Sequence, residues 1–150
     1  MTSVMVPRKL SEYMRDKFSS QSSQNTISDE LLLLMHDIFG DLSLGALNFL
    51  EFGSLVLERS TSGRCLYRLE SQSGCLHYCS YHTHYCPCLA RSVSHVANLN
   101  ESYQIWCEHL LAIMLIQSCG HTKEMAVSDE KLSHSLELMY SCPDEKIHSM

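Results

Sequence analysis

The feature that most constrains this chain is a pair of short motifs built from residue types that bind metals. The segment CPC at 86–88 is followed, after an 18-residue spacer, by CEH at 107–109. Thiolate and imidazole groups are the usual ligands of structural zinc, which takes four ligands in a tetrahedron. Two pairs from separate parts of the chain would tie those parts together around one ion. The sequence therefore predicts one structural Zn²⁺ bound by Cys86, Cys88, Cys107 and His109.

The spacing of the second pair also predicts where a helix must begin. Residues two apart face opposite sides of a helix, so Cys107 and His109 cannot both reach one ion from a helix interior. They can do so where the chain enters a helix, and the partial positive charge of the helix N-terminus would stabilise the thiolates. The apolar run at 110–116 favours a helix here. We expect it to begin near Trp106, with the CEH pair at its entrance.

The segment just before the CPC motif holds further candidate ligands, which are Cys75, His77, Cys79, His82 and His84. If this segment is a strand, the first three share one face and the two later histidines share the other. Cys79 or His84 can replace one of the four ligands, and His82 or His84 can instead donate a hydrogen bond to a thiolate. A second interpretation needs no metal, since free cysteine is often a small core residue. We interpret the other thiols as packing or surface groups: Cys65, Cys119 and Cys142.

The composition indicates a single globular domain in a reducing compartment. The chain has 150 residues, of which 45% are hydrophobic and 19% charged, which is ordinary for a folded protein. Its eight cysteines accompany no N-terminal signal segment, so thiols that bind metal or pack are expected rather than disulfides. No apolar run reaches the roughly 20 residues that a membrane span needs. The cytoplasm and the nucleus both fit.

Hydrophobic spacing and turn residues predict an α+β fold. N-terminal helices precede a short antiparallel β-meander, which leads into the zinc element and C-terminal helices. Helices are expected after Pro7, from an N-cap at Ser28 to Gly40, at 43–52, and from near Ser128 to before Pro143. Strands are expected near 55–57, 65–67 and 75–85, with Gly63 in the first turn.

The same patterns suggest a division of the chain. Residues 1–27 are predicted to form an N-terminal helix and a polar linker. Residues 28–140 would form the metal-containing domain, with the zinc element at 75–120, and residues 141–150 a tail.

The helix after the CEH pair favours an interaction role. Its run at 110–116 is apolar all round, and such a helix must be buried on every side. Either a second chain covers part of that surface, or the helix is central and wrapped by its own domain. The candidate partner-binding residues are Trp106, Leu110, Ile113 and Met114.

Direct DNA binding and catalysis are both weakly supported. The formal charge of −6 makes the chain a poor ligand for phosphate backbones unless a more basic partner helps. The candidate DNA-binding residues are Arg64 and Arg68 on the hairpin, whose alternative role is to protect a solvated sheet edge.

An enzyme is not expected, because four protein ligands leave a zinc ion no open coordination position.

The two motifs, the spacer and the "LLA" that follows resemble the SWIM zinc finger, a ββα zinc-binding unit. The segments DELLLLMHDIFG, STSGRCLYRLESQSG, HYCPCLA and CEHLLAIML, in this order, are similar to the small SWIM subunits of Shu complexes over about 28–139. The resemblance implies a nuclear, non-enzymatic subunit that pairs with a RecA-like recombinase paralogue. Such a pair promotes assembly of the strand-exchange recombinase on single-stranded DNA in homologous recombination. The alternative is a stand-alone SWIM finger that binds DNA or another protein outside recombination.

Overall fold

The computed structural model describes residues 3–20, 27–89, 102–119 and 122–141. The helices are α1 (Arg8–Ser19), α2 (Asp29–Phe39), α3 (Leu42–Phe52), α4 (Glu108–Cys119) and α5 (Asp129–Ser141). The strands are β1 (Ser3–Pro7), β2 (Ser54–Ser60), β3 (Cys65–Glu70), β4 (Leu76–Cys79), β5 (Tyr103–Cys107) and β6 (Lys123–Val127). Among these described residues, no helix has the length and apolar character needed to span a bilayer.

The predicted helix boundaries are confirmed where capping residues mark them. Ser28 caps α2, because its side-chain oxygen accepts a hydrogen bond from the backbone N–H of Leu31 at 3.3 Å. Gly40 follows the helix with φ of 62°, a backbone conformation that residues with a Cβ rarely adopt. Ser128 caps α5 in the same way, accepting from the N–H of Lys131 at 3.0 Å.

The main sheet contains the predicted meander and one unpredicted strand. Its strand order is β4-β3-β2-β6, with β2, β3 and β4 antiparallel. Gly63, with φ of 91°, lies in the hairpin turn as expected. β6 runs parallel to β2 at the edge. Its residues are exposed apart from the half-buried Val127, so it lacks the alternation by which a strand is recognised.

A second, two-stranded sheet contains the residue at which the long apolar helix was predicted to begin. β1 pairs antiparallel with β5, from Ser3 opposite Cys107 to Pro7 opposite Tyr103. The prediction that this helix begins near Trp106 is wrong, since Trp106 is in β5 and α4 begins at Glu108. The partner strand lies about a hundred positions away in the chain, so no local pattern reveals it. The prediction that the helix starts at the CEH pair is confirmed.

The third strand of the meander is shorter than predicted. β4 ends at Cys79 and does not run on to the CPC motif. The chain instead reverses between Ser80 and Tyr85, whose backbones exchange hydrogen bonds of 2.9 and 2.8 Å. His84 closes this turn with φ of 54°. The CPC motif begins with Cys86, immediately after this turn.

Helix α4 lies at the centre of the core. All six residues from Leu110 to Leu115 are at most 1% exposed, and α1 and α3 pack against the helix. Val6, Met14 and Phe18 belong to the same core, so the N-terminal segment packs onto the domain that follows it. Most of the predicted linker and the predicted tail after Ser141 lie outside the described residues.

Candidate metal centre

Four buried side chains converge where the CPC turn meets the start of α4. Their potential ligand atoms all lie within 4.8 Å of one another. Cys86, Cys88, Cys107 and His109 are 0%, 8%, 1% and 2% exposed. The structure therefore brings together the four residues named from the motif spacing.

The distances between these atoms suit a tetrahedral ion. His109 Nδ1 lies 3.2 Å from the sulfur of Cys88, 3.5 Å from that of Cys86 and 3.8 Å from that of Cys107. Zinc bonds of about 2.3 Å to sulfur and about 2.0 Å to nitrogen, at tetrahedral angles, would separate these atoms by about 3.5 Å. A donor set of three thiols and one imidazole is also a usual one for structural zinc. The cluster can therefore hold a metal, and zinc fits it.

Three local structures position the ligands. Cys86 and Cys88 lie in a tight turn that follows the 80–85 reversal, and the N–H of Leu89 donates to the carbonyl of Cys86 at 2.8 Å. Cys107 is the last residue of β5, and His109 is in the first turn of α4. The strand-to-helix junction lets two residues of a C-x-H motif point to one place, which a helix interior would not allow. The N-terminus of α4 adds a favourable partial positive charge beside the thiolates.

The electrostatics of the four groups favour a cation between them. Hydrogen bonds with Cys107 and Cys86 lower the pKa of the Cys88 thiol. Burial raises the pKa of Cys107, because a thiolate loses its hydration there. Without a cation the cluster thus favours one thiolate over three. A dication would compensate for three thiolates, since −3 + 2 leaves a net charge of −1.

Side chains around the ligands form a second layer that was only partly foreseen. The ring of His77 lies 4.2 Å from the ring of His109, centroid to centroid, and Phe49 meets the same imidazole edge-on at 5.1 Å. Cys79 is completely buried and shares a hydrogen bond with Cys86, while burial raises its pKa. In the sequence, this layer was indicated only by the spacing of His77 and Cys79, which places both on one face of a strand. Such neighbours orient ligands and exclude water.

The alternative ligands are placed in other roles. His84 Nε2 lies 2.7 Å from the carbonyl oxygen of Ile105, and its ring packs edge-on against Trp106 at 4.7 Å. Burial lowers the pKa of His84, because the charged imidazolium loses hydration there. His82 is exposed. Neither His84, His82 nor Cys79 is a member of the four-residue cluster.

Comparison with known proteins agrees with this geometry. The chain is 35% identical over 125 residues to zinc finger SWIM domain-containing protein 7 of Danio rerio, covering 83% of this chain and 87% of the relative. It is 34% identical over 133 residues to the Mus musculus protein of that name, covering 89% and 86%. The Homo sapiens protein is 32% identical over 133 residues, covering 89% and 93%. The chain belongs to the family of zinc finger SWIM domain-containing protein 7. No family model and no solved structure matches it.

In this SWIM protein, the apolar residues proposed as partner contacts are all internal. Trp106, Leu110 and Ile113 are 0% exposed and Met114 is 1% exposed. Trp106 packs edge-on against Phe39, with centroids 5.4 Å apart. The central helix is therefore wrapped by its own domain, and a partner could reach these side chains only if the core opened. A partner surface has to be sought elsewhere.

The hairpin arginines of this SWIM protein are engaged with its own chain. Arg64 donates to the hydroxyl of Ser133 at 3.3 Å, so it holds the hairpin to α5. Arg68 lies 3.8 Å from the buried carboxylate of Glu58. Their use as DNA contacts stays a prediction, and it would compete with these intrachain interactions.

Proposed function

We propose that the chain is a non-enzymatic, zinc-stabilised scaffold that pairs with a RecA-like recombinase paralogue. The pair would promote assembly of a recombinase filament on single-stranded DNA during homologous recombination repair in the nucleus. The observation that carries the scaffold role is the closed cluster of four buried ligands. Membership of the SWIM family and the resemblance of its motifs to Shu-complex subunits support the choice of partner.

The shape of the metal centre favours a structural role over a catalytic one. A catalytic zinc keeps one coordination position for water or substrate, whereas four protein ligands fill a tetrahedron. Glu108 is the acid closest in sequence to the ligands, and its carboxylate lies against Gly45 of α3. It is half-buried. A general base would have to face a reacting group, whereas the Glu108 carboxylate faces helix α3.

The residues of the centre connect parts of the chain that carry the rest of the fold. The turn that holds Cys86 and Cys88 follows β4 of the main sheet, Cys107 ends the strand that pairs with β1, and His109 lies in the first turn of the central helix. A bound zinc ion would supply bonds that hold these three segments in one arrangement. In small zinc domains, metal binding and folding are commonly one equilibrium. We therefore expect the partner-binding surface to exist only when the four ligands are intact.

The alternative is a stand-alone SWIM finger that binds DNA directly. The net charge of −6 argues against it, because affinity for DNA depends on surplus Lys and Arg that release counterions. Two of the hairpin cations already have acidic partners within the chain: Arg59 pairs with Glu124 at 2.9 Å and Arg68 with Glu58 at 3.8 Å. Any contact with DNA is better made by the paired complex.

The test is co-expression of the full chain with a RecA-like paralogue, followed by co-purification and measurement of zinc by mass spectrometry. The wild-type chain is expected to co-purify with one zinc per chain. Cys86→Ala and His109→Ala should lose both the zinc and the partner together. Cys65→Ser is the matched control, since Cys65 is an exposed thiol outside the cluster. A zinc-free Cys86→Ala chain that still pairs fully would contradict the proposal.

A further inference from the structure

Helices α2 and α3 expose large apolar side chains to solvent. Leu33 of α2 is 69% exposed, and Leu44 and Phe52 of α3 are 64% and 53% exposed. Among the described residues, only Tyr140 on α5 is another large apolar side chain that is more than half exposed. Single exposed apolar residues are ordinary. Three of them on two helices that pack together exceed this background and are better explained by a contact.

The charges on the same two helices are all of one sign. Residues 18–58 contain no Lys or Arg. The acidic side chains of α2, α3 and their connection are all exposed: Asp29, Glu30, Asp37, Asp41 and Glu51. By contrast, helix α1 carries four basic residues, which are Arg8, Lys9, Arg15 and Lys17. The α2–α3 face, defined here as Leu33, Leu44 and Phe52 with these five acids, is therefore apolar and uniformly acidic.

We propose that the α2–α3 face is the docking site for the RecA-like paralogue, and that the paralogue offers it an apolar surface bordered by Lys and Arg. This inference rests on the proposed pairing and adds where it occurs and what chemistry the partner must have. An apolar centre supplies most of the binding free energy of such contacts, and complementary charge at the border steers association and rejects wrong partners. DNA does not fit, since phosphates would face five carboxylates.

A second copy of the chain fits this face less well than a basic partner. In a symmetric dimer the same patch of each copy meets the other. Two α2–α3 faces would then bring two sets of carboxylates together with no cation on either side. Like charges brought together at a contact are unfavourable. The paralogue is therefore the occupant that the charges favour.

The docking face is built on the metal centre. α3 packs closely on α4, and Gly45 is the point of contact, where the absence of a Cβ leaves room for the Glu108 carboxylate. Glu108 itself lies between the ligands Cys107 and His109. Loss of the metal would displace the start of α4 and with it the support of α3. This connection gives a physical reason for zinc and pairing to be lost together.

The experiment compares variants of the α2–α3 face with matched variants elsewhere, in the full chain co-expressed with the paralogue. L33S with L44S removes the apolar centre, and D37K with E51K reverses two charges near helix C-termini, where lysine is well tolerated. The controls are L138S and E137K, both at exposed positions on α5. Zinc content and thermal melting of each purified chain verify that the fold is retained. Binding is then measured by titration at low and high salt.

We expect each face double variant to bind at least about tenfold more weakly than wild type, because a few central residues usually carry most of an interface. The charge variant should also lose most of the salt dependence. The controls should bind as wild type does.

If folded face variants bind equally well, the docking site is overturned while the proposed pairing stands. If the wild-type chain itself fails to bind the paralogue, the pairing and the site are both overturned. Wild-type self-association that the face variants abolish would identify a second copy and overturn the paralogue as occupant.

Discussion

Two polar clusters hold separate parts of this protein together, and they differ in how they do so. The candidate metal centre brings a turn, a strand end and a helix start together at three thiols and one imidazole, which a bound metal would join. The second cluster surrounds the fully buried carboxylate of Glu58 on β2. Ser135 of α5 donates to one of its oxygens at 2.8 Å. Lys131 lies 3.3 Å and Tyr78 lies 3.4 Å from the other.

The difference lies in what completes each cluster. A tetrahedral metal site has four short bonds, and losing one ligand exposes the ion and weakens all the others. Glu58 has several partners of unequal quality, and two of them remain partly in water: the Lys131 side chain is 41% exposed and that of Arg68 is 26% exposed. The Glu58 cluster should therefore lose stability in steps, one partner at a time. The metal centre should fail as a unit.

The largest effect is expected from H109A. Structural zinc contributes roughly 10–16 kcal/mol of apparent binding free energy in small zinc-finger peptides, which is comparable to the whole stability of a domain, about 5–15 kcal/mol. The variant should therefore be unfolded or loosely packed, without a cooperative melting transition in circular dichroism. H36A is the control, since His36 is exposed on α2. A zinc-free H109A chain that melts at the wild-type temperature would show that the centre does not stabilise the fold.

A smaller effect is expected from E58A. Removing one partner of a fully buried ion pair costs about 3–5 kcal/mol, and E58A should cost less than this, because the cations that lose their counter-charge remain partly in water. The variant should shift the urea midpoint downward while keeping its zinc, since Glu58 touches α5 and the sheet rather than the ligands. K131A should shift it less, because Lys131 is partly exposed. Equal losses for the two variants would mean that this cluster, too, behaves as a unit.

A third prediction concerns the contact between α3 and the metal helix. A Cβ added at Gly45 would overlap the Glu108 carboxylate and lie 3.1 Å from the Glu108 Cβ. G45A should therefore cost about 1 kcal/mol, the low end of overpacking, because the carboxylate is the end of a flexible side chain and can move aside. E108A in the same chain should recover part of this loss, because it removes the overlapping carboxylate. Urea unfolding of both single variants and the double variant measures this coupling. Simple additivity would contradict a direct contact.

The two clusters also show why sequence predicted one and missed the other. The four metal ligands form two local pairs of uncommon residue types, and the α4 pattern beside them indicates a helix start. The Glu58 cluster takes single residues of common types from β2, β3, β4 and α5. Each of them reads as an ordinary surface or strand residue until the chain is folded. The pairing of β1 with β5 was missed for the same reason, because it depends on residues about a hundred positions apart. The α+β class and the meander depended on local periodicity and were predicted correctly, apart from the length of the third strand.

The smallest effect is expected from R59A, which breaks an ion pair outside both clusters. Arg59 and Glu124 join β2 to the edge strand β6 at 2.9 Å, but their side chains are 47% and 55% exposed. Water and salt screen such a pair, and ordering two long side chains opposes the gain. The urea midpoint should stay within error of wild type at physiological salt. A clear loss would mean that this pair holds β6 onto β2. Since β6 exposes nearly all of its side chains, its stability would then depend on charge rather than on burial. That result would place the edge strand with the Glu58 cluster, among the parts of the fold held by polar contacts.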